Sequence, residues 1–339
     1  MTTITHTTEV QRKPKHPVIL TGVRPSANLT VANLIGAVFP MLELQKRGDP
    51  IFIFVATMHG LTDNEGKDVV SNVLEVVKDY LALGLDPAKV TIFDQRTLRR
   101  EVALLKLYLE RHITIARLLR VPTLKDKLKS GQNPENASAL LAGYPLMMAA
   151  DILLQDSTLV PVGKDQLSHI EATRELARAL NAKYGDVLVV PDALNQKEPI
   201  NILALRGEGK MSKSNPDDAL FLVDSEEVIR KKIKRAETAN PGVMNEKIES
   251  LIFVGKTLAP SRSDEIDSLI KRHKTGEKVM ADFKGLLADI VVAFTGEFQK
   301  KRQKTSDKEA KEILQKGGEV ALLHAEKVIA RVEKAIGIL

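Results

Sequence analysis

The chain has 339 residues, 43% of them apolar, with 50 Lys and Arg against 44 Asp and Glu and no cysteine. That is enough apolar material for one large α/β domain plus a smaller one, and the missing cysteines exclude disulfides and thiolate metal sites. The net charge of +6 fits a polyanionic partner without singling one out. No apolar run approaches the ~18 residues of a membrane span and no secretory core follows the first Met, so the expected setting is cytoplasmic, with no membrane partner.

Residues 1–15 are polar and Thr-rich and read as a disordered tail. Val18-Ile19-Leu20-Thr21-Gly22 is short, apolar and stopped by Gly, as a buried strand is. After the segment Val23 to Asn33, Leu34, Val38, Met41, Leu42 and Gln45 recur at spacings of three and four, which predicts a helix. Strand, loop and helix in this order put a helix N-terminus at the carboxyl edge of a parallel sheet. Free N–H groups and the helix dipole make that edge an anion site.

Further β-rich runs occupy 51–56, 90–94, 158–162 and 187–191. Helical patterns lie between them at 68–83, 98–119, 143–154 and 165–181. This alternation predicts a doubly wound parallel sheet, an α/β catalytic domain of Rossmann type over 16–218. Gly131 to Asn136 is a loop by composition. Beyond Asp218 the patterns at 224–235, 245–256, 262–273, 277–303 and 307–338 are helical, with Asn240-Pro241-Gly242 as a break. They predict a C-terminal all-helical domain over 219–339.

Chemistry concentrates at Lys210-Met211-Ser212-Lys213-Ser214, which follows Gly207 and Gly209 and precedes Asn215-Pro216. Two lysines three apart on such a segment form a mobile cationic loop suited to phosphate oxygens that move during a reaction. An arbitrary K-x-x-K is usually a solvated surface loop. The full pentapeptide resembles the KMSKS loop of the class I aminoacyl-tRNA synthetases. Thr30-Val31-Ala32-Asn33, about 180 residues upstream, stands where those enzymes carry their HIGH tetrapeptide. Gly143 to Leu154 and Leu159 to Glu171 resemble the bacterial tryptophanyl-tRNA synthetases, with tyrosyl enzymes as the nearest relatives. The resemblance spans roughly residues 17 to 339.

On one helix, Asp151, Met148 and Tyr144 share a face. A carboxylate among apolar groups needs a donor, and an indole N–H or a phenol O–H would serve equally. The soft, apolar turn Met147-Met148-Ala149-Ala150 favours indole. The resemblance implies that Asp151 meets the indole nitrogen of L-tryptophan, with Met148 on the same wall, Tyr144 and Gln166 on the α-amino group, and His59 beside the ring. It places ATP on Arg24, Pro25, Ser26, Ala32 and Asn33, on Gly163, Lys164 and Asp165, and on Lys210, Met211, Ser212, Lys213 and Ser214. Lys125, with Lys127 as its competitor, corresponds to a mobile lysine brought toward the triphosphate. His169 reads as structural.

The implied reaction is activation of tryptophan with ATP, accompanied by Mg²⁺ and with no protein metal site. The tryptophanyl group then passes to the 3′ end of tRNA(Trp). A homodimer is implied as well. The basic runs 231–235, 271–274 and 300–304 are candidate contacts to RNA phosphates. The alternatives are a tyrosyl-type enzyme and a tryptophan- or RNA-binding paralogue without activation. Two departures stand out. The family usually has Gly at the positions of Ala27 and Ala32, and commonly Gln where Arg24 stands. A methyl at Ala32 against a nucleotide base would cost on the order of 1–3 kcal/mol if the fit is tight. The Arg24 cation would offset this by holding the triphosphate.

Overall fold

The computed structural model describes residues 16–26, 28–61, 66–121, 136, 138–163, 166–195 and 201–339. Five strands, β1 (Ile19–Val23), β2 (Ile51–Val55), β3 (Val90–Asp94), β4 (Leu159–Val162) and β5 (Asp192–Asn195), form one sheet in the order β3-β2-β1-β4-β5. Every pairing is parallel. β2 is buried along all five residues, and its side chains alternate between two cores. Ile51, Ile53 and Val55 face one apolar cluster, Phe52 and Phe54 the other. That is the period of two expected of a strand covered on both faces.

The expected strand at 187–191 is corrected. Val187, Leu188 and Val189 are buried but form no ladder. The side chain of Asn181 satisfies that backbone instead, accepting from the N–H of Val187 (3.1 Å) and of Leu188 (2.8 Å) and donating to Leu188 O (2.7 Å). The strand that pairs with β4 begins at Asp192, one residue after Pro191.

The helix over 31–45 (α1) starts at a capping box between Thr30 and Asn33 and widens into a π turn at Leu34–Val38. After β2 come a single turn, α2 (Thr57–Gly60), then α3 (Gly66–Ser71) and α4 (Val73–Ala82), which divide the expected helix 68–83 at Asn72. The expected helix 98–119 is likewise two, α5 (Arg99–Glu110) and α6 (Ile115–Leu118). Thr114 starts the second by accepting from Arg117 N–H. α7 (Ala139–Ala142), α8 (Tyr144–Leu153) and α9 (Leu167–Tyr184) complete this half.

Beyond residue 218 lie α10 (Glu226–Arg235), α11 (Glu246–Leu258), α12 (Ser263–Lys274), α13 (Met280–Lys304) and α14 (Asp307–Ile336). Ser225, Asn245 and Ser306 cap α10, α11 and α14 through their side-chain oxygens. Residues on both sides of 218 share a core: Ile19 and Ile51 belong to the same apolar cluster as Ile229, Leu287 and Val291. α14 also crosses β3, an edge strand, and so covers an otherwise open sheet edge. Its Ala310 packs in one core and Ala321, Ala325 and Val328 in the other. At the crossing, a Cβ on Gly317 would stand 1.9 Å from Ile92 O, so only glycine fits.

Candidate functional site

The carboxyl ends of β1, β2 and β4 open onto a cavity of about 650 Å³. It lies where strand order reverses between β1 and β4, the usual ligand crevice of a doubly wound sheet. The exit of β1 contributes Arg24, Pro25 and Ser26, and the exit of β2 contributes His59 and Gly60. α8 contributes Tyr144, Met148 and Ile152, and the segment after β4 contributes Gly163 and Gln166. Eight of the sequence-derived site residues therefore meet in one space: Arg24, Pro25, Ser26, His59, Tyr144, Met148, Gly163 and Gln166.

One end of the cavity is aromatic. The Tyr144 ring meets His59 edge-on at 4.6 Å and leans on His169 at 5.6 Å. Asp151 does not line the cavity. It is buried behind this wall, where its Oδ2 lies 2.8 Å from His59 Nε2. Gln95 Nε2 donates to both of its carboxylate oxygens, at 2.9 and 2.8 Å. Gln95 Oε1 in turn accepts from the N–H of Met58 (2.9 Å) and of His59 (3.3 Å) at the start of α2. Gln95 belongs to no motif. The signal that could have marked it is its place directly after β3, since strand carboxyl ends carry ligand-side residues in this architecture. Next to it, Asp94 accepts from Thr57 Oγ1 at 2.7 Å and from Arg96. β2 and β3 thus exit as one braced unit.

The other end carries cationic and hydroxyl groups. Arg24 is exposed on the cavity and Ser26 partly buried. Lys213 reaches Ser26, its Nζ donating to Ser26 O at 2.9 Å and to Ser26 Oγ at 3.0 Å. Burial pushes the Lys213 ammonium below the usual lysine range, and the Asp79 carboxylate partly opposes this. The loop containing Lys213 turns through Gly207 (φ +68°) and Gly209 (φ +91°). It is pinned by buried Met211, whose N–H donates to Ile202 O at 2.8 Å. Lys210, Ser212 and Ser214 are exposed and do not line the cavity.

Strand-like pairing ties the first motif to the segment that follows the lysine loop. Val31 N–H donates to Leu220 O and Leu222 N–H to Leu29 O, each at 2.9 Å. Asn33 faces into its own helix start, its Oδ1 accepting from Thr30 N–H (3.1 Å) and Thr30 Oγ1 (3.0 Å). Ala32 is half-buried against the core. Neither lines the cavity. Ala27, Lys125, Lys127, Lys164 and Asp165 lie outside the described residues. Among the described residues no group of three His, Asp or Glu could hold a metal ion, and no helix is long and apolar enough to cross a membrane.

The three basic runs divide between structural and exposed members. Lys232 bonds Ala219 O and Asp224, each at 2.8 Å. Buried His273 bonds Val243 O at 2.8 Å, and Arg302 bonds Asp79 at 2.5 Å. Lys231, Lys234, Arg235, Lys271, Lys274, Lys300 and Lys304 are exposed.

A family model for class I tRNA synthetases (W and Y) matches residues 12–336. The tryptophan–tRNA ligase of Chlamydia caviae is 32% identical over 334 residues, covering 94% of this chain and 95% of the relative. That of Borreliella burgdorferi is 35% identical over 341 residues, covering 96% and 94%. The crystal structure of tryptophanyl-tRNA synthetase from Campylobacter jejuni complexed with ADP and tryptophan superposes with a TM-score of 0.81 at 30% identity. It covers 94% of this chain and 99% of that one.

Proposed function

We infer that the chain, which belongs to the class I tRNA synthetases for tryptophan and tyrosine, is a tryptophan–tRNA ligase. The observation that carries this reading is one cavity with an aromatic end at His59 and Tyr144 and a cationic end at Arg24, beside the Ser26–Lys213 contact. The two ends suit the two halves of an aminoacyl-adenylate.

In this reading the tryptophan side chain lies along Tyr144 and Met148, with the Asp151–His59 pair taking the indole N–H and Gln166 taking the α-amino group. The carboxylate of tryptophan attacks the α-phosphate of ATP in line. The bond to the β-phosphate side breaks, and pyrophosphate leaves. No general base is needed, because the attacking carboxylate is already ionised. The chain contributes placement and charge stabilisation. Arg24, Ser26 and Lys213 serve the phosphates, and Lys210 joins them when its loop closes. Gly163 lets the nucleotide approach bare backbone after β4. Magnesium travels with ATP as part of the substrate.

Residues 16–218 form the activating part in this account, and 219–339 carry the contacts to tRNA(Trp), through the exposed lysines of α10, α12 and α13. The exposed apolar side chains Leu104, Leu107, Ile115 and Leu140 support a homodimer. The setting that fits is the cytoplasm. Exchange of labelled pyrophosphate into ATP tests the activation step. Exchange with tryptophan but not with tyrosine or without amino acid is expected. Exchange with tyrosine alone would replace the reading with a tyrosyl enzyme, and exchange with neither would leave a binding protein.

A further inference from the structure

Gln95 uses its whole amide. A glutamine side chain offers one acceptor oxygen with two lone pairs and two N–H donors. Here the oxygen accepts from two backbone N–H groups, those of Met58 and His59. The nitrogen donates to both oxygens of Asp151. Neither half can be exchanged for the other: the N–H groups require an acceptor, and the two carboxylate oxygens require donors. The orientation of the amide is therefore fixed. Gln95 is 1% exposed and Asp151 7%, so solvent cannot replace these bonds cheaply.

The bonds form a closed ring. Gln95 holds the backbone of His59, the His59 ring bonds Asp151 at 2.8 Å, and Asp151 returns to Gln95. The ring joins the exits of β2 and β3 to the last turn of α8. Between those elements lies the aromatic end of the cavity, walled by His59 and Tyr144 in contact at 4.6 Å. Gln95 itself does not line the cavity.

We propose that Gln95 is a positioning residue for the amino-acid side chain: it sets where the Asp151 carboxylate and the His59 ring stand, and so sets the preference for an indole over a phenol. This rests on the reading of the cavity as a tryptophan site. Gln95 acts on the amino acid, because its partners lie at the aromatic end of the cavity.

Gln95→Glu isolates the effect. Glutamate keeps an acceptor for Met58 and His59 but sets a second carboxylate against Asp151, where two like charges cannot both stay ionised at that distance. The chain contains no tryptophan, so the added ligand is the sole indole fluorophore and its affinity is read from the change in its emission anisotropy on binding. The wild-type chain should bind tryptophan well ahead of tyrosine. Folded Gln95→Glu should bind tryptophan on the order of tenfold more weakly, with a reduced tryptophan-to-tyrosine ratio and unchanged ATP affinity by calorimetry. Should Gln95→Glu fail to fold, Gln95→Asn decides by the same ratios. It keeps the amide but is one methylene too short to reach both partners. A folded variant with wild-type tryptophan affinity, or with equal losses for tryptophan and ATP, would overturn the assignment. No anisotropy change of tryptophan with the wild-type chain would overturn the reading of the cavity, and the assignment with it.

Discussion

Lys213 and Ser26 stand 187 residues apart in sequence and in direct contact in the fold, the lysine bonding both the backbone oxygen and the hydroxyl of the serine. The contact docks the cationic loop on the turn that follows β1, at the edge where anions are expected. It also places the ammonium where burial works against its charge.

Replacing Lys213 should therefore separate activity from stability. Lys213→Met removes one charge donor from the developing pyrophosphate and should lower kcat/KM for ATP by about 10²-fold or more in pyrophosphate exchange. The folded chain holds the Lys213 proton less tightly than the unfolded chain does. Below its folded pKa the group thus weighs against the fold, and the burden lifts as pH rises toward the usual lysine value. Lys213→Met should melt no lower than wild type near neutrality, with any advantage fading in alkali. A clear drop in melting temperature at neutral pH would contradict this.

Arg24 is an exposed cation on the cavity. Arg24→Gln should raise the KM for ATP severalfold, leave the KM for tryptophan within about twofold and leave stability unchanged, since surface substitutions usually stay within ~0.5 kcal/mol. An unchanged ATP KM in steady-state exchange removes Arg24 from the phosphate site.

Arg302 of α13 bonds Asp79 at 2.5 Å and also bonds Glu75 on α4. Burial pushes the Asp79 carboxyl above its usual range, and the Arg302 guanidinium pulls it back. Arg302→Met leaves a nearly buried carboxylate without its partner and should cost about 3–5 kcal/mol at neutral pH. A raised folded pKa means the folded chain binds the proton more tightly than the unfolded one. The deficit should accordingly shrink as pH falls through the carboxylate range. Denaturant melts at several pH values check the trend, and a deficit that grows in acid contradicts it.

Glycines in the long C-terminal helices give an internal control. Gly317→Ala drives a methyl into the backbone of β3 and should cost at least about 3 kcal/mol. Gly285→Ala on α13 meets nothing within 4 Å and should gain about 1 kcal/mol from helix propensity. Thermal melting of the two variants should move in opposite directions.

The sheet was largely legible because β2 is a continuous apolar run, β3 is β-rich, and the Gly-stopped first strand leads into a helix. The run 187–191 misled because burial and β-branched composition do not specify a ladder. Asn181 supplied the hydrogen bonds that a neighbouring strand would have given. The π turn in α1 left no trace, since its apolar spacing is that of an α-helix. The eight cavity residues were reached through the family resemblance carried by the two motifs and by the segments 143–154 and 159–171. Gln95 was not, because a single glutamine beside a strand has no period and no partner visible in sequence. Asn33, expected at the phosphates, also completes the capping box with Thr30 at the start of α1, as its spacing of three allowed.

Charging of tRNA tests the account most directly. Unfractionated bacterial tRNA, ATP and the purified chain would be incubated with each labelled amino acid separately, and acid-precipitable label counted. The account predicts label from tryptophan alone, dependent on ATP and lost on periodate oxidation of the 3′ ribose. Charging with tyrosine, or no charging by a folded chain that binds tryptophan, would contradict it.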